Sequence, residues 1–277
     1  MILYFNVEED LSQEIDKITK SKSKEYTSVL IDWIPTKKSV NQKKASNLLS
    51  QTDILEKYVK NLPIVIFDRY RSITTEEYSW LKKFNVTFFE PAILARNGFK
   101  YLPNWTKIKD LHHIRINNNK RDVNVGYIGH LTDRTKSFDK YYVKTKIANP
   151  DITIGVSTEN EEYKNLGIVC KKDLQFSDIE FTIIIGNTNE YAVGHLDSYF
   201  FKALDNNCIP LIPKENRYYS AIPLVIDNNK WYDMYVDMYD RIYVGLINDI
   251  YQGIKKYYPE MNITYVAEVI KKYLGEK

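Results

Sequence analysis

Short uninterrupted apolar runs alternate along this chain with longer stretches in which apolar and charged positions mix at helical spacing. A strand covered on both faces reads as a continuous apolar run, so this rhythm predicts βα units built around parallel sheets. In the first half the predicted strands are Ile2–Val7, Ser28–Trp33, Ile64–Phe67 and Val86–Phe89. The intervening segments Leu11–Thr19, Ala45–Lys60 and Thr75–Phe84 are predicted helices. Thr74 or Thr75, followed by Glu77, supplies an N-terminal cap with a carboxylate in the first turn.

The second half restarts the pattern. Val123–Ile128 is a predicted strand that ends at Gly129, and a helix is expected over Ser137–Ala148. Ile152–Val156 and Phe181–Ile185 are predicted buried strands; Ser198–Asn206 is a short helix, followed by strands Ile209–Ile212 and Leu224–Ile226. Helices over about Tyr232–Tyr257 and Ile263–Leu274 close the chain. Between the halves, Lys107–Asp122 is polar and contains Asn117-Asn118-Asn119-Lys120-Arg121, the composition of an interdomain linker. The expected organisation is two α/β domains, residues 1–118 and 119–277, with the last helix able to pack back on the first domain. Two such domains place a ligand cleft at the C-terminal ends of their strands.

Composition changes this picture little. Hydrophobic residues make up 44% and charged residues 27% of the 277, the balance of an ordinary globular protein. A formal charge of +3 neither demands nor excludes a nucleic-acid partner. Cys170 and Cys208 are the two cysteines, too few for a disulfide framework, and with four histidines lacking ligand spacing they argue against a structural zinc site. The first strand runs directly into Glu8, Glu9 and Asp10, unlike a signal peptide, and no apolar run reaches the ~20 residues a bilayer requires. A cytoplasmic monomer without a membrane span is expected.

Three stretches carry candidate chemistry. After the predicted strand Phe181–Ile185 come Gly186, a polar loop through Tyr191, then His195 and Asp197 before the short helix. A helix start suits a diphosphate, and Asp197 either accepts ribose hydroxyls or simply caps the helix. The segment Gly126-Tyr127-Ile128-Gly129 is followed by Arg134 and Lys136, a glycine turn with cations beyond it that suits a leaving diphosphate. Asp68 ends an apolar strand, where a carboxylate serves either as a general base or as an ion-pair partner of Arg69 or Arg71. Lys37, Lys38, Lys43 and Lys44 form a basic stretch that would contact phosphates of DNA or be merely solvated. The tyrosine-rich C-terminal region has helical spacing and reads as packing.

The segment Tyr199-Phe200-Phe201-Lys202-Ala203-Leu204 through Cys208-Ile209-Pro210-Leu211-Ile212 resembles the donor domain of GT-B glycosyltransferases and the donor lobe of α1,3-fucosyltransferases. Along nearly the whole chain, the ordered blocks Ser28–Trp33, Ile64–Asp68, Phe99–Pro103, Val125–Gly129 and Phe181–Ile212 resemble the T-even phage DNA β-glucosyltransferases. The resemblance implies a GT-B fold, two Rossmann-like domains facing each other across a cleft. It implies inverting transfer of a hexose from a UDP-sugar, UDP-glucose above all, to a hydroxymethylated pyrimidine of double-stranded DNA; dependence on a divalent metal stays open.

By the same resemblance Asp68 is the general base. The donor is held by Gly129, Arg134, Lys136, Gly186, Tyr191, Asp197 and Lys202, with Val169 and Cys170 at the nucleobase. DNA is met by Lys37, Lys38, Lys43, Lys44, Arg69 and Arg71. Two departures stand out. Of two family arginines the second aligns on Lys136, whereas the first falls on Thr132, two residues before Arg134. A ribose-binding glutamate of the family aligns with Lys202, and an ammonium cannot accept hydroxyl protons. The rival expectations are a glycosyltransferase acting on a cell-surface polysaccharide or other glycan, and a nucleotide-sugar-binding module without turnover.

Overall fold

A computed structural model describes residues 1–19, 25–33, 61–106, 121–158, 160–222, 225–226 and 245–275. The predicted helix Ala45–Lys60, the linker residues 107–120 and the N-terminal part of the predicted helix Tyr232–Tyr257 lie outside the described residues. By contact the chain divides into two compact units, Met1–Pro103 with Ile263–Lys277, and Asn104–Asn262.

The first unit is built on five parallel strands in sequence order: β1 (Ile2–Phe5), β2 (Ser28–Asp32), β3 (Ile64–Phe67), β4 (Val86–Glu90) and β5 (Phe99–Tyr101). The central strands Ser-Val-Leu-Ile-Asp and Ile-Val-Ile-Phe are buried along almost their full length, as both-face coverage requires. Val29, Ile31, Trp33, Ile64, Ile66 and Phe88 form one core cluster. Helix α1 (Glu9–Thr19) precedes β2, and α2 (Thr75–Leu81) starts at Thr74. The Thr74 hydroxyl accepts the Glu77 N–H, while the Glu77 carboxylate accepts the Thr74 N–H, completing the cap that the sequence pointed to. The last helix of the chain belongs to this unit: Thr264 donates to Glu14 at 2.9 Å, Lys271 donates to the Ile18 carbonyl at 2.9 Å, and Tyr273 packs edge-on against Phe89.

The second unit holds six parallel strands in the order β11-β10-β9-β6-β7-β8. They are β6 (Val123–Tyr127), β7 (Ile154–Val156), β8 (Val169–Cys170), β9 (Ile179–Ile183), β10 (Ile209–Pro213) and β11 (Val225–Ile226). The chain proceeds outward from β6 through β7 to β8, then crosses back to lay β9 on the other side of β6. That reversal leaves a crevice outside the carboxyl ends of β6 and β9, the usual ligand position in an open α/β sheet.

The helix expected after β6 forms as α3 (Thr135–Phe138), a π-helical turn (Asp139–Val143) and α4 (Lys144–Ala148). The wider turn carries Tyr142 inward. Its buried hydroxyl lies 2.8 Å from the Ile183 carbonyl and 3.1 Å from the Gly126 carbonyl, and it accepts the Ile183 N–H at 2.7 Å. One side chain thus ties together the two strands that flank the crevice. After β7 comes α5 (Glu161–Asn165).

The polar loop expected after Gly186 is instead helix α6 (Thr188–Val193). Asn187 and Glu190 form a reciprocal capping box, and Gly194 ends the helix in the left-handed conformation at φ 67°. The strand before it is displaced two residues from its predicted limits, because β9 starts at Ile179 opposite Val123. Helix α7 (Tyr199–Asp205) leads to β10, and α8 (Ile263–Tyr273) is the C-terminal helix described above. No described helix is long and apolar enough to cross a membrane.

Candidate functional site

Strand β6 ends at Tyr127, and the chain then turns at Gly129 with φ 146°, a backbone conformation that favours glycine. The turn is fixed from both sides: the Gly129 N–H donates to the Ser157 hydroxyl at 3.1 Å, and the Tyr127 hydroxyl donates to the His130 carbonyl at 2.9 Å. Added side-chain bulk is crowded, since a Cβ at Gly129 would stand 3.0 Å from the Tyr127 oxygen and 3.3 Å from the Tyr199 ring.

A cavity of about 700 Å³ opens beside this turn. It is bounded by residues following β6, β7 and β8 and by α7: Gly129 and His130, Ser157 and Thr158, Lys172 and Gln175, Tyr199 and Lys202. Typical small-molecule and cofactor sites span about 300–1,000 Å³. Among the described residues the lining includes two lysines and no aspartate or glutamate. Among the described residues no group of three His, Cys, Asp or Glu is placed to hold a metal ion.

Arg134 sits next to the crevice but is directed at two carboxylates. It contacts Glu190 at 2.6 Å and Asp197 at 3.1 Å. Burial disfavours its charge, yet Asp197 and Glu190 raise its pKa beyond the ordinary range. Burial acts against ionisation of Glu190 as well, but hydrogen bonding from His195 and Arg134 holds that carboxyl down at about 2. The second oxygen of Asp197 accepts the Tyr199 N–H at 3.0 Å, so Asp197 both binds the first N–H of α7 and pairs with Arg134. Burial, opposed by Arg134, pushes the Tyr127 phenol up to about 12.

The remaining predicted donor residues are dispersed. Gly129 and Lys202 line the cavity; Lys136 is exposed on α3 and is not part of the lining. Gly186 and Tyr191 contact each other, the Gly186 N–H donating to the Tyr191 oxygen at 2.7 Å. Burial raises that phenol to about 12. Val169 is exposed and Cys170 half-buried on the edge strand β8, and neither lines the cavity. Sequence reasoning passed over Ser157, Thr158, Lys172 and Gln175. Their signal was positional: each follows the C-terminal end of a parallel strand.

In the first unit the strand ends gather charge. Asp68 and Glu90 are fully buried. Asp68 accepts the Ser72 N–H at 2.8 Å, the Ser72 hydroxyl at 3.1 Å and the Ile73 N–H at 2.9 Å, and it pairs with Arg96 at 2.5 Å. Arg96 also binds Glu90 at 2.6 Å, and Arg71 approaches Glu90 at 3.4 Å from a left-handed backbone position, φ 53°. Arg69 is buried between Asp32 at 2.8 Å and Glu8 at 3.0 Å.

One oxygen of Asp32 is buried with no hydrogen-bond partner. Burial is the main cause of a pKa raised to about 6; Arg69 opposes the shift, while Glu8 and Asp68 add to it. Lys37, Lys38, Lys43 and Lys44 lie outside the described residues.

No family model matches this chain, and no curated protein matches it. Solved structures do. An alpha-glucosyltransferase in complex with UDP and a 13-mer DNA containing a central A:G mismatch is 12% identical, with a TM-score of 0.58 over 96% of this chain and 84% of that one. An alpha-glucosyltransferase in complex with UDP-glucose and DNA containing an abasic site is 13% identical, with a TM-score of 0.56 over the same shares. The chain shares the fold of these glucosyltransferases.

Proposed function

We propose that this chain is a GT-B glycosyltransferase that moves a hexose from a UDP-sugar, with UDP-glucose the preferred donor, to the hydroxyl of a hydroxymethylated pyrimidine in double-stranded DNA. The observation that carries the reading is the cavity of about 700 Å³ at the strand ends of the second unit, whose described lining holds two lysines, a glycine turn and neutral hydrogen-bonding side chains. That lining suits an anionic ligand with sugar hydroxyls. The shared fold supports the class, since the matching glucosyltransferases are complexed with UDP or UDP-glucose and with DNA. In this reading the second unit takes the donor and the first serves the acceptor. A target base leaves the stack for its hydroxymethyl group to react.

The reaction needs a carboxylate to take the proton of the attacking hydroxyl. Asp68 holds that role by resemblance, and it requires release from Arg96 and the Ser72–Ile73 backbone. Asp32 is a second candidate, favoured by its unpartnered oxygen. Inversion at the anomeric carbon, giving a β-glucoside from UDP-glucose, remains part of the proposal.

The test incubates the protein with radiolabelled UDP-glucose and DNA containing hydroxymethyluracil, hydroxymethylcytosine or neither. Label transferred to a modified DNA is expected. UDP-glucose hydrolysis without labelled DNA would move the assignment to a polysaccharide or other glycan acceptor. UDP-glucose binding without either reaction would make the chain a sugar-nucleotide-binding module.

A further inference from the structure

We propose that Glu8, Arg69 and Asp32 work as one unit in the transfer reaction: Asp32 takes the proton of the acceptor hydroxyl, while Arg69 and Glu8 are positioning residues for its carboxylate. The inference rests on the transfer reading above. The three residues follow three neighbouring parallel strands: Glu8 lies just beyond β1, Asp32 ends β2 and Arg69 lies just beyond β3. The carboxyl ends of parallel strands are where an open α/β sheet presents its chemistry. The resemblance gave Arg69 to DNA, but its side chain is 6% exposed and is engaged by carboxylates: Nη2 lies 2.8 Å from Asp32 Oδ2, and Nη1 lies 3.0 Å from Glu8 Oε1.

Hydrogen bonding separates Asp32 from Asp68. The fully buried Asp68 already accepts from the Ser72 N–H and hydroxyl, the Ile73 N–H and Arg96, so a substrate hydroxyl would have to displace one of them. Asp32 has Oδ2 on Arg69 and leaves Oδ1 without a partner. A buried acceptor without a donor costs free energy until a donor reaches it. The acceptor hydroxyl is such a donor, and a hydrogen bond to Oδ1 puts its proton where the carboxylate can take it. In that step the hydroxyl oxygen bonds to the anomeric carbon of the sugar as the bond from that carbon to UDP breaks. UDP leaves with the electron pair, and the proton stays on Asp32.

Charge gives Glu8 its part. Among the described residues Asp32 is faced by Arg69, Glu8 and Asp68, and Asp68 is itself paired with Arg96. Arg69 is divided between two carboxylates, so it orients Asp32 without fully offsetting its charge. An arginine held by Asp32 alone would make the carboxylate a weaker base. Burial first, with Glu8 adding to it, instead brings the carboxyl to about 6 against the pull of Arg69. A base poised near the operating pH is the effective one.

The experiment measures kcat/KM against pH for transfer of labelled glucose from UDP-glucose to hydroxymethylated DNA, with the full chain and with Asp32→Asn, Glu8→Gln, Arg69→Gln and Arg69→Lys. Thermal melting checks the fold of each variant. Asp32→Asn should lose about 10²–10⁴ in turnover and still bind UDP-glucose. Glu8→Gln should move the acid limb down by about one pH unit, because it removes a negative charge and leaves Arg69 to Asp32. Arg69→Gln should move the limb up, and Arg69→Lys should bring it back toward its original place. Should the buried Arg69 variants fail to fold, the more exposed Glu8 carries the test.

An unaltered protein that labels no DNA would sink the transfer reading itself. Labelling at full rate by Asp32→Asn would overturn the role of Asp32 alone. A rate lost in Asp32→Asn with the acid limb unmoved in Glu8→Gln would overturn the role of Glu8.

Discussion

Asp68 and Arg96 are joined at the end of the first sheet by an ion pair that leaves no free carboxylate oxygen: Arg96 and Ile73 bind Oδ2, and Ser72 binds Oδ1 through both its N–H and its hydroxyl. The pair holds Arg96, which in turn satisfies the buried Glu90. Removing the Asp68 carboxylate altogether therefore leaves a cation without one partner and two backbone N–H groups without acceptors. Asp68→Ala should lower stability by about 3–5 kcal/mol, the usual cost of breaking a buried pair from one side. Chemical denaturation measures that loss. If Asp68 is also the base, Asp68→Asn should reduce turnover by about 10²–10⁴ while donor affinity stays near that of the unaltered protein. Intact stability in Asp68→Ala would contradict the bracing geometry.

Asp32 leads to a prediction in pH. A base works ionised, so with its carboxyl at about 6 the acid limb of kcat/KM should rise through pH 6. If Asp32 is the base, Asp32→Asn should remove that limb together with most of the turnover. The stability consequence has the opposite sign: a carboxyl whose folded value lies above its unfolded value of 3.8 makes folding less favourable as pH climbs from about 4 to 6. Melting curves of the Asn variant should lack that decline. A kcat/KM profile with its pH 6 limb intact in Asp32→Asn would remove Asp32 from the chemistry.

Glu190 behaves in the reverse sense. Its folded value of about 2 lies below the ordinary 4.5, so its contribution to stability is complete above about pH 4.5 and is lost as pH falls toward 2. The contribution is on the order of 2–3 kcal/mol. Glu190→Gln should be less stable than the unaltered protein at pH 7 and should approach it near pH 2. Denaturant titrations at a series of pH values measure the convergence; parallel curves would contradict the Arg134 and His195 contacts as its origin.

Gly129 joins backbone strain to close contact. An alanine there would meet both an unfavourable φ of 146° and the Tyr127 oxygen at 3.0 Å. Gly129→Ala should cost about 1–3 kcal/mol and weaken UDP binding through displacement of the turn. A variant as stable as the original, with unchanged UDP affinity, would refute the requirement for glycine.

Much of the fold could be read from local pattern alone. Continuous apolar runs such as Ile64–Phe67 and Ile209–Ile212 became central strands, because a parallel strand buried on both faces has no place for polar residues. The cap at Thr74 was legible for the same local reason. Helix α6 was equally local, with Asn187, Glu190 and Gly194 at capping positions, yet its polar composition concealed it.

The sequence also determined which residue types lie just beyond each strand, since strand ends and turns are properties of neighbouring residues. What those residues contact was decided by the tertiary structure. Whether Arg134 faces a ligand or two carboxylates depends on Glu190 and Asp197, 56 and 63 positions away in the chain. Lys172 and Lys202 share a wall because β7 and β8 lie on one side of β6 and the chain then crosses over to β9. Strand order is a long-range choice, made by burial across whole sheets, and no short stretch of sequence contains it.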